Sequence, residues 1–343
     1  MYFTSDNASG AAPEIIAAIA QGNAGFTRGY GAEEAMTRVT AAVRDVFEHP
    51  EAAVYLVSTG TTANALALAL YAQPWSAIFA HTDAHIAQDE CGAPEFYTNG
   101  AKLVAVGGAH GKMTPETLAP MLDRVGASGV HGVQRGILSI TNVTEAGTVY
   151  SAAEVAALTA LARAKGIPSH LDGARFANAL VATGATAAEM TLKAGVDVVS
   201  FGGTKNGCMG VEAVVIFDPV KAWEFELRRK RGGHLLSKHR FLSAQMEAYL
   251  ADGLWLRLAK QANAMGTRLA QGLQALPEVK LWHPAPANML FPEWQAGTHA
   301  RLAALGAAYY DMPAAQGREA ARLVTSFCTT EAEVDAFLAG VAG

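Results

Sequence analysis

Residues 196–217 constrain the chain more than any other stretch. Two short β-branched runs, 196–201 and 211–217, enclose a loop holding Gly202, Gly203, Gly207 and Gly210. Apolar runs of this length bounded by glycine are the pattern of buried strands. A single lysine, Lys205, sits in the loop after Thr204. An apolar floor beneath a lysine disfavours its ammonium form, so some neutral, nucleophilic amine becomes available near neutral pH. Taken alone, the stretch is read more simply as a surface lysine on a tight turn, and the rest of the chain has to decide.

Strand and helix patterns alternate before this point. Strand patterns fall at 53–58, 77–80, 102–106, 136–140 and 169–171, and helix patterns at 13–21, 32–47, 63–71, 152–165 and 187–194. Ser151 caps one of these helices, and Gly166 and Pro168 close it. Such alternation over some 200 residues predicts an α/β fold with a mostly parallel sheet covered on both faces. Past residue 240 the pattern becomes a long helix, 244–276, then shorter elements and a strand near 322–327. The expected organisation is a large domain over residues 1–245 and a smaller C-terminal α+β domain over 246–343. A chain of 343 residues with 51% hydrophobic composition can fill two such cores.

Charge and cysteine usage remove several function classes. The net charge is −5, and the densest basic run, Arg228 to Arg231 with Lys238 and Arg240, is too short for a nucleic-acid surface. It could hold one phosphate or a subunit contact. Cys91, Cys208 and Cys328 are far apart and form no CxxC pair, which fits a reducing compartment and a cytoplasmic location. No apolar stretch approaches the length of a membrane span, and no signal peptide is visible.

Three further motifs carry chemistry. Ser58-Thr59-Gly60-Thr61-Thr62 leads from a strand into a helix and makes a phosphate cup, where amides and the Thr61 and Thr62 hydroxyls face an anion. It is equally an ordinary helix cap. Asp172 ends the strand at His170-Leu171, the edge where open α/β sheets bind ligands, and could hold a cationic ring nitrogen or cap a helix. Arg175 could grip a carboxylate in bidentate fashion or pair with Asp172 itself. His81 and His85 invite a metal reading, but the glutamate of an HExxH motif is missing, and no metal is expected. The run 107–114 fails as a P-loop because Met113 follows Lys112, and no GxSxG elbow is present.

In this order the pieces resemble the threonine aldolases, within the aspartate-aminotransferase-like (fold type I) pyridoxal-phosphate enzymes. The matching stretches are Phe3-Thr4-Ser5-Asp6-Asn7, Gly29-Tyr30-Gly31, the cup from Ser58 to Thr62, the His85 segment, His170 to Arg175, and Phe201 to Asn206, with Ala321-Arg322-Leu323-Val324 in the small domain. The resemblance implies a seven-stranded, mostly parallel sheet and a pyridoxal 5′-phosphate cofactor held as a Schiff base by Lys205. Asp172 would bind its ring nitrogen, His85 would stack on the ring, and Arg175 would stand beside it. Gly60, Thr61, Lys238 and the Thr204 hydroxyl would hold the phosphate, unless Thr204 only caps its loop. Ser5, Arg175 and Arg322 would hold the carboxylate of a small amino-acid substrate. His85 or His131 would take the proton of the β-hydroxyl. Tyr30, with Arg28, would reach a neighbouring subunit's site in a dimer at least, and a tetramer in the family's pattern.

The implied reaction is retro-aldol cleavage of L-threonine, L-allo-threonine and related β-hydroxy-α-amino acids to glycine and an aldehyde. The alternatives are a phenylserine-preferring aldolase, or a β-eliminating lyase or aminotransferase on the same fold. Departures from the family pattern include Gly202-Gly203-Thr204-Lys205 at the lysine, Thr141 to Glu145 without a histidine, and Asp89-Glu90, which puts an acid beside the expected place of the substrate's β-substituent.

Overall fold

A computed structural model describes residues 1–343. The central sheet has seven strands: β1 (Ala53–Val57), β2 (Ser76–His81), β3 (Lys102–Val106), β4 (Gln134–Thr141), β5 (Ser169–Gly173), β6 (Val198–Gly202) and β7 (Glu212–Ile216). Their order is β1-β7-β6-β5-β4-β2-β3. β3, β2, β4, β5 and β6 pair in parallel, and β7 runs against both its neighbours, β6 and β1. Every residue of β2, β5, β6 and β7 is buried, as two-sided cover by helices requires.

Beneath the lysine loop lies an aromatic floor of Phe47, Phe176, Phe201, Tyr249 and Trp255, their ring centroids 5.4–6.0 Å apart along the contacts that Phe201 makes. The loop is also tied down by polar contacts. Asn206 donates to Tyr249 Oη at 2.7 Å and to the Trp255 carbonyl at 2.8 Å, and Tyr249 Oη donates to the Gly202 carbonyl at 3.1 Å. Glycine at 202 is a matter of close approach, because a Cβ there would meet the Ala174 carbonyl oxygen at 2.4 Å. At Gly207 φ is 100°, a backbone that side chains disfavour.

A second, antiparallel sheet comprises β8 (Lys280–Leu281), β10 (Pro292–Gln295), β11 (Tyr310–Met312) and β12 (Arg318–Val324), with β9 (Met289–Leu290) paired to β12. Its core gathers Trp294, Leu323, Val334 and Phe337, and Phe3 from the N-terminal segment. Phe3 donates its amide to the Ala308 carbonyl and accepts from the Val324 amide, both at 2.8 Å, and its ring lies 4.9 Å from that of Phe337. The helix expected over 244–276 is two helices, Arg240–Leu250 and Leu254–Gln274. Asp252 (φ 50°) and Gly253 (φ 68°) break it in left-handed conformations that hydrophobic periodicity does not reveal. The longer helix joins the two cores: Leu254, Trp255 and Ala259 pack in the larger, and Met265, Leu269 and Leu273 in the smaller. No helix is long and apolar enough to cross a membrane.

Candidate active site

β1, β5 and β6 end, and β7 begins, at one edge of the sheet, and a cavity of about 280 Å³ opens there. Ser58, Thr59, Gly60 and Thr61 line one side, Asp172 and Ala174 another, and Thr204, Lys205 and Glu212 a third; Asn7, Asn64, His85 and Glu145 complete it. Sequence-expected residues from four separate segments are thus brought together, and only one lining residue is hydrophobic.

The cup forms because Thr59 is extended and caps the helix Gly60–Ala69, its hydroxyl accepting from the Thr62 amide at 3.2 Å. Ala63 donates to the Thr59 carbonyl, which leaves the Gly60 and Thr61 amides as first-turn donors facing the cavity. No Cβ contact crowds Gly60, so the backbone is open to an anion. Asp172 is buried and fixed from two sides, Oδ1 accepting from the Ala174 amide and Oδ2 from Asn64 Nδ2, both at 3.1 Å. The Lys205 charge reaches Asp6, His85 and Glu212.

His85 is held by a group that the sequence reading had placed beside the substrate. Glu90, fully buried, stands 2.8 Å from His85 Nδ1 and accepts from Asn64 Nδ2 at 2.8 Å. Asn64 therefore bridges Glu90 and Asp172, giving a chain His85–Glu90–Asn64–Asp172. An ionised carboxylate only accepts, which assigns the proton to Nδ1 and leaves Nε2 with the lone pair. The hydrogen bond with Glu90 raises the His85 pKa above the ordinary imidazole value, against the opposing effect of burial.

Arg175 pairs not with Asp172 but with Asp6, at 2.6 Å and 2.9 Å through Nε and Nη2, with both side chains buried. Burial alone would raise the Asp6 carboxyl; the Arg175 guanidinium, aided by Lys205 and Asn288, holds it below the usual range instead. Ser5 accepts from the Asn7 amide at 3.1 Å and lies beside Asp6. Arg322 on β12 lies 5.2 Å from the Tyr310 ring, within charge range of Arg175, Glu145 and Asp6. Its Nε is buried without a partner, and burial and then the like charge of Arg175 lower its pKa. Arg322 is thus half-buried beside a second arginine, with no carboxylate paired to its Nε, a setting that favours an anion.

Ser5, Arg175 and Arg322 are not among the residues lining the cavity, and three more expected residues lie farther from the cluster. His131 is exposed and ends a single turn, Gly129–His131, just before β4. Since β4 runs from Gln134 to Thr141 toward the cavity, His131 belongs to the opposite edge of the sheet, about 25 Å away at the rise of an extended strand. It is withdrawn as a base acting within its own chain. Tyr30 and Lys238 do not line the cavity; both are exposed. Their segments are tied to each other where the Tyr30 amide donates to the Ser237 carbonyl at 3.2 Å, and Lys230 Nζ lies 5.0 Å from the Tyr30 ring. His81 is turned toward the Gly108 carbonyl and the Asp83 amide. Glu145 and Glu212 line the cavity but were not singled out from the sequence as site residues.

A family model described as beta-eliminating lyase matches residues 3–294. Over 332 residues the chain is 38% identical to a low specificity L-threonine aldolase of Pseudomonas sp., covering 97% of this chain and 94% of that relative. Over 308 residues it is 39% identical to another from Pseudomonas aeruginosa, covering 90% and 88%. The solved structure of a threonine aldolase from Leishmania major matches with a TM-score of 0.93 at 30% identity, covering 99% of this chain and 98% of that one. The fold is that of a fold type I enzyme, and the chain belongs to the β-eliminating lyase family. Within that family its place is among the threonine aldolases.

Proposed function

We propose that this cavity binds pyridoxal 5′-phosphate and cleaves the Cα–Cβ bond of L-threonine, L-allo-threonine and related β-hydroxy-α-amino acids, giving glycine and an aldehyde. The observation that carries the reading is the convergence of Lys205, the Gly60–Thr61 cup and Asp172 on one cavity, with the unpaired guanidinium of Arg322 nearby. The donor set suits the cofactor: amides and hydroxyls for a phosphate, a fixed carboxylate for a ring nitrogen, and an amine for an aldehyde. Bound there, the cofactor supplies an electron sink for the pair of electrons released as the Cα–Cβ bond breaks.

The chain's own residues do the rest. Lys205 is the amine that anchors the cofactor aldehyde. Asp172, held by Ala174 and Asn64, keeps a proton on the ring nitrogen. Gly60 and Thr61 would hold the phosphate, while the Thr204 hydroxyl accepts from the Val211 amide at 3.1 Å and so caps its own loop. Ser5, Arg175 and Arg322 would fix the substrate carboxylate and so orient the bonds at Cα. His85 would stack on the cofactor and take the β-hydroxyl proton at Nε2; the oxygen would keep its electrons and become the aldehyde carbonyl as Cα–Cβ breaks. Cα then takes up one proton, and glycine leaves. The same grip and base suit an aryl β-substituent, so phenylserine belongs in the substrate panel.

The proposed assembly is a homo-oligomer, a dimer at least and a tetramer in the family's pattern. Exposed Phe26, Tyr30, Trp223 and Leu227 support it, as do Tyr30 and Lys238, which would serve a neighbour's site rather than their own. Free Cys91, Cys208 and Cys328 suit a cytoplasmic location. The test is product analysis of the purified full chain with L-threonine and pyridoxal phosphate. Glycine and acetaldehyde in equal amounts are expected; 2-oxobutanoate would mean β-elimination and overturn the aldolase reading.

A further inference from the structure

β7 alone runs against the other strands, so its first residue, Glu212, arrives at the edge where they finish. Its Cα partners are Val57 on β1 and Gly202 on β6, the residues that lead into the phosphate cup and the lysine loop. The side chain turns inward: Oε2 accepts from the Gly203 amide at 2.9 Å, and Glu212 lines the same cavity as the cup while only 5% exposed. The ionisable groups around it are Lys205 and Cys208 on the lysine loop, Asp172 on β5 and Tyr249 on the helix Arg240–Leu250. Lys205 is the one cation among them. Every phosphate donor of the cup itself is an amide or a hydroxyl. An ionised Glu212 would therefore face a phosphate dianion as a buried like charge across the same cavity, which is unfavourable in a poorly screened site.

We propose that Glu212 takes up a proton when a phosphate monoester enters the cup, so that cofactor loading and proton uptake are a single event. This rests on the reading of the cavity as a pyridoxal-phosphate site. Burial pushes the Glu212 carboxyl up to about 7, against hydrogen bonds from Thr204 and Gly203 and the charge of Lys205, so the proton is available near neutrality. The sign follows from linkage. A proton bound with the ligand strengthens binding below that value and weakens it above, by up to about tenfold per pH unit.

The probe is pyridoxine 5′-phosphate, which carries the phosphate but has no aldehyde for Lys205, set against pyridoxine, which lacks the phosphate. Dissociation constants are measured by fluorescence on the full chain freed of cofactor, at about one and two pH units above the carboxyl's value. Calorimetry in two buffers of different ionisation enthalpy counts the protons. For the wild-type chain the dissociation constant of the phosphate ester rises about tenfold over that unit, with proton uptake, whereas pyridoxine shows neither. In Glu212→Gln the rise drops below about twofold. The proposal is overturned if the wild-type slope is flat, if pyridoxine shares it, or if the Gln variant keeps it. Should that variant fail to fold, the contrast between the two ligands on the wild-type chain decides alone. If pyridoxine 5′-phosphate does not bind at all, the cofactor reading falls with the proposal; binding without a slope removes only the proton coupling.

Discussion

Replacing Glu90 by glutamine isolates the electrostatic part of the His85–Glu90 pair. Gln is nearly isosteric, and its carbonyl oxygen can still accept from His85 Nδ1 or Asn64, so geometry is kept and the negative charge is lost. Glu90 is fully buried and His85 only 28% exposed, so the charge acts at 2.8 Å with limited screening. A hydrogen bond to a charged partner contributes about 1.5–3 kcal/mol, or roughly one to two pH units in the imidazole. Partial solvent access to the ring favours the lower end. His85 acts as base only when neutral, and Glu90 raises its pKa. Removing the carboxylate therefore lowers that pKa and moves the acid limb of the rate profile to lower pH by about one unit. The assay is kcat/KM for aldehyde release from L-threonine across pH, paired with NMR titration of the His85 Cε1 proton in both proteins. If the NMR pKa falls while the acid limb stays in place, His85 is not the base. If neither moves, the pairing drawn from the geometry is wrong.

Other residues give separate tests. Lys205→Ala should fold normally, lose the visible absorbance of the purified protein and lose at least about a thousandfold in kcat/KM; near-normal turnover would end the Schiff-base reading. Arg322→Leu should raise KM for L-threonine about thirtyfold, from about 2 kcal/mol, the lower end for truncating one side of a charge pair because the side chain is half-buried, with a smaller change in kcat; an unchanged KM removes Arg322 from the carboxylate pocket. Asp6→Asn leaves Arg175 buried without its counter-charge, a loss of about 4 kcal/mol or roughly 5 °C in Tm for a chain of this length. Because the folded-state pKa of Asp6 is depressed, its stabilisation is present above the unfolded value of about 3.9 and lost as pH falls through the folded one; thermal melts of the two proteins should therefore converge in acid. His131→Ala should leave kcat within about twofold in steady-state rates, as a surface change does.

The parts of the site legible in the sequence are those that local patterns determine. Lys205 is legible because two apolar runs and four glycines surround it within 22 residues, and the cup because a strand, a glycine and two threonines must run on into a helix. Asp172 follows from the rule that ligands gather at strand ends. The partner of Arg175 is not legible, because Asp6 lies 169 positions away and nothing near either residue marks the other. Glu90 was visible as an acid five residues beyond His85, but that it points at the imidazole depends on how the short helix His85–Gln88 turns the chain. Glu212 is hidden for a different reason: a glutamate opening a valine-rich run looks like a strand's polar end until the direction of β7 is known. The place of His131 is legible too, since a residue preceding a parallel strand belongs to the edge opposite the one that residues following it reach.

The N-terminal segment imposes an order on synthesis. Phe3 packs against Phe337 and bonds to Ala308 and Val324, and three residues later Asp6 neutralises Arg175 and accepts from Asn288. On the ribosome those first residues emerge early and wait: Asp6 for Arg175, 169 positions on, and Asn288, 282 positions on, and Phe3 for partners more than 300 positions on. At about 5–20 residues per second the wait is some tens of seconds. Until Phe337 is free of the exit tunnel, Phe3 has no core to enter, and Arg175 has only a loosely tethered counter-ion. The large sheet can form during translation, but the Asp6–Arg175 pair is fixed in place only once the small domain has been made. A pair buried in the large domain thus settles only after the small domain has been built.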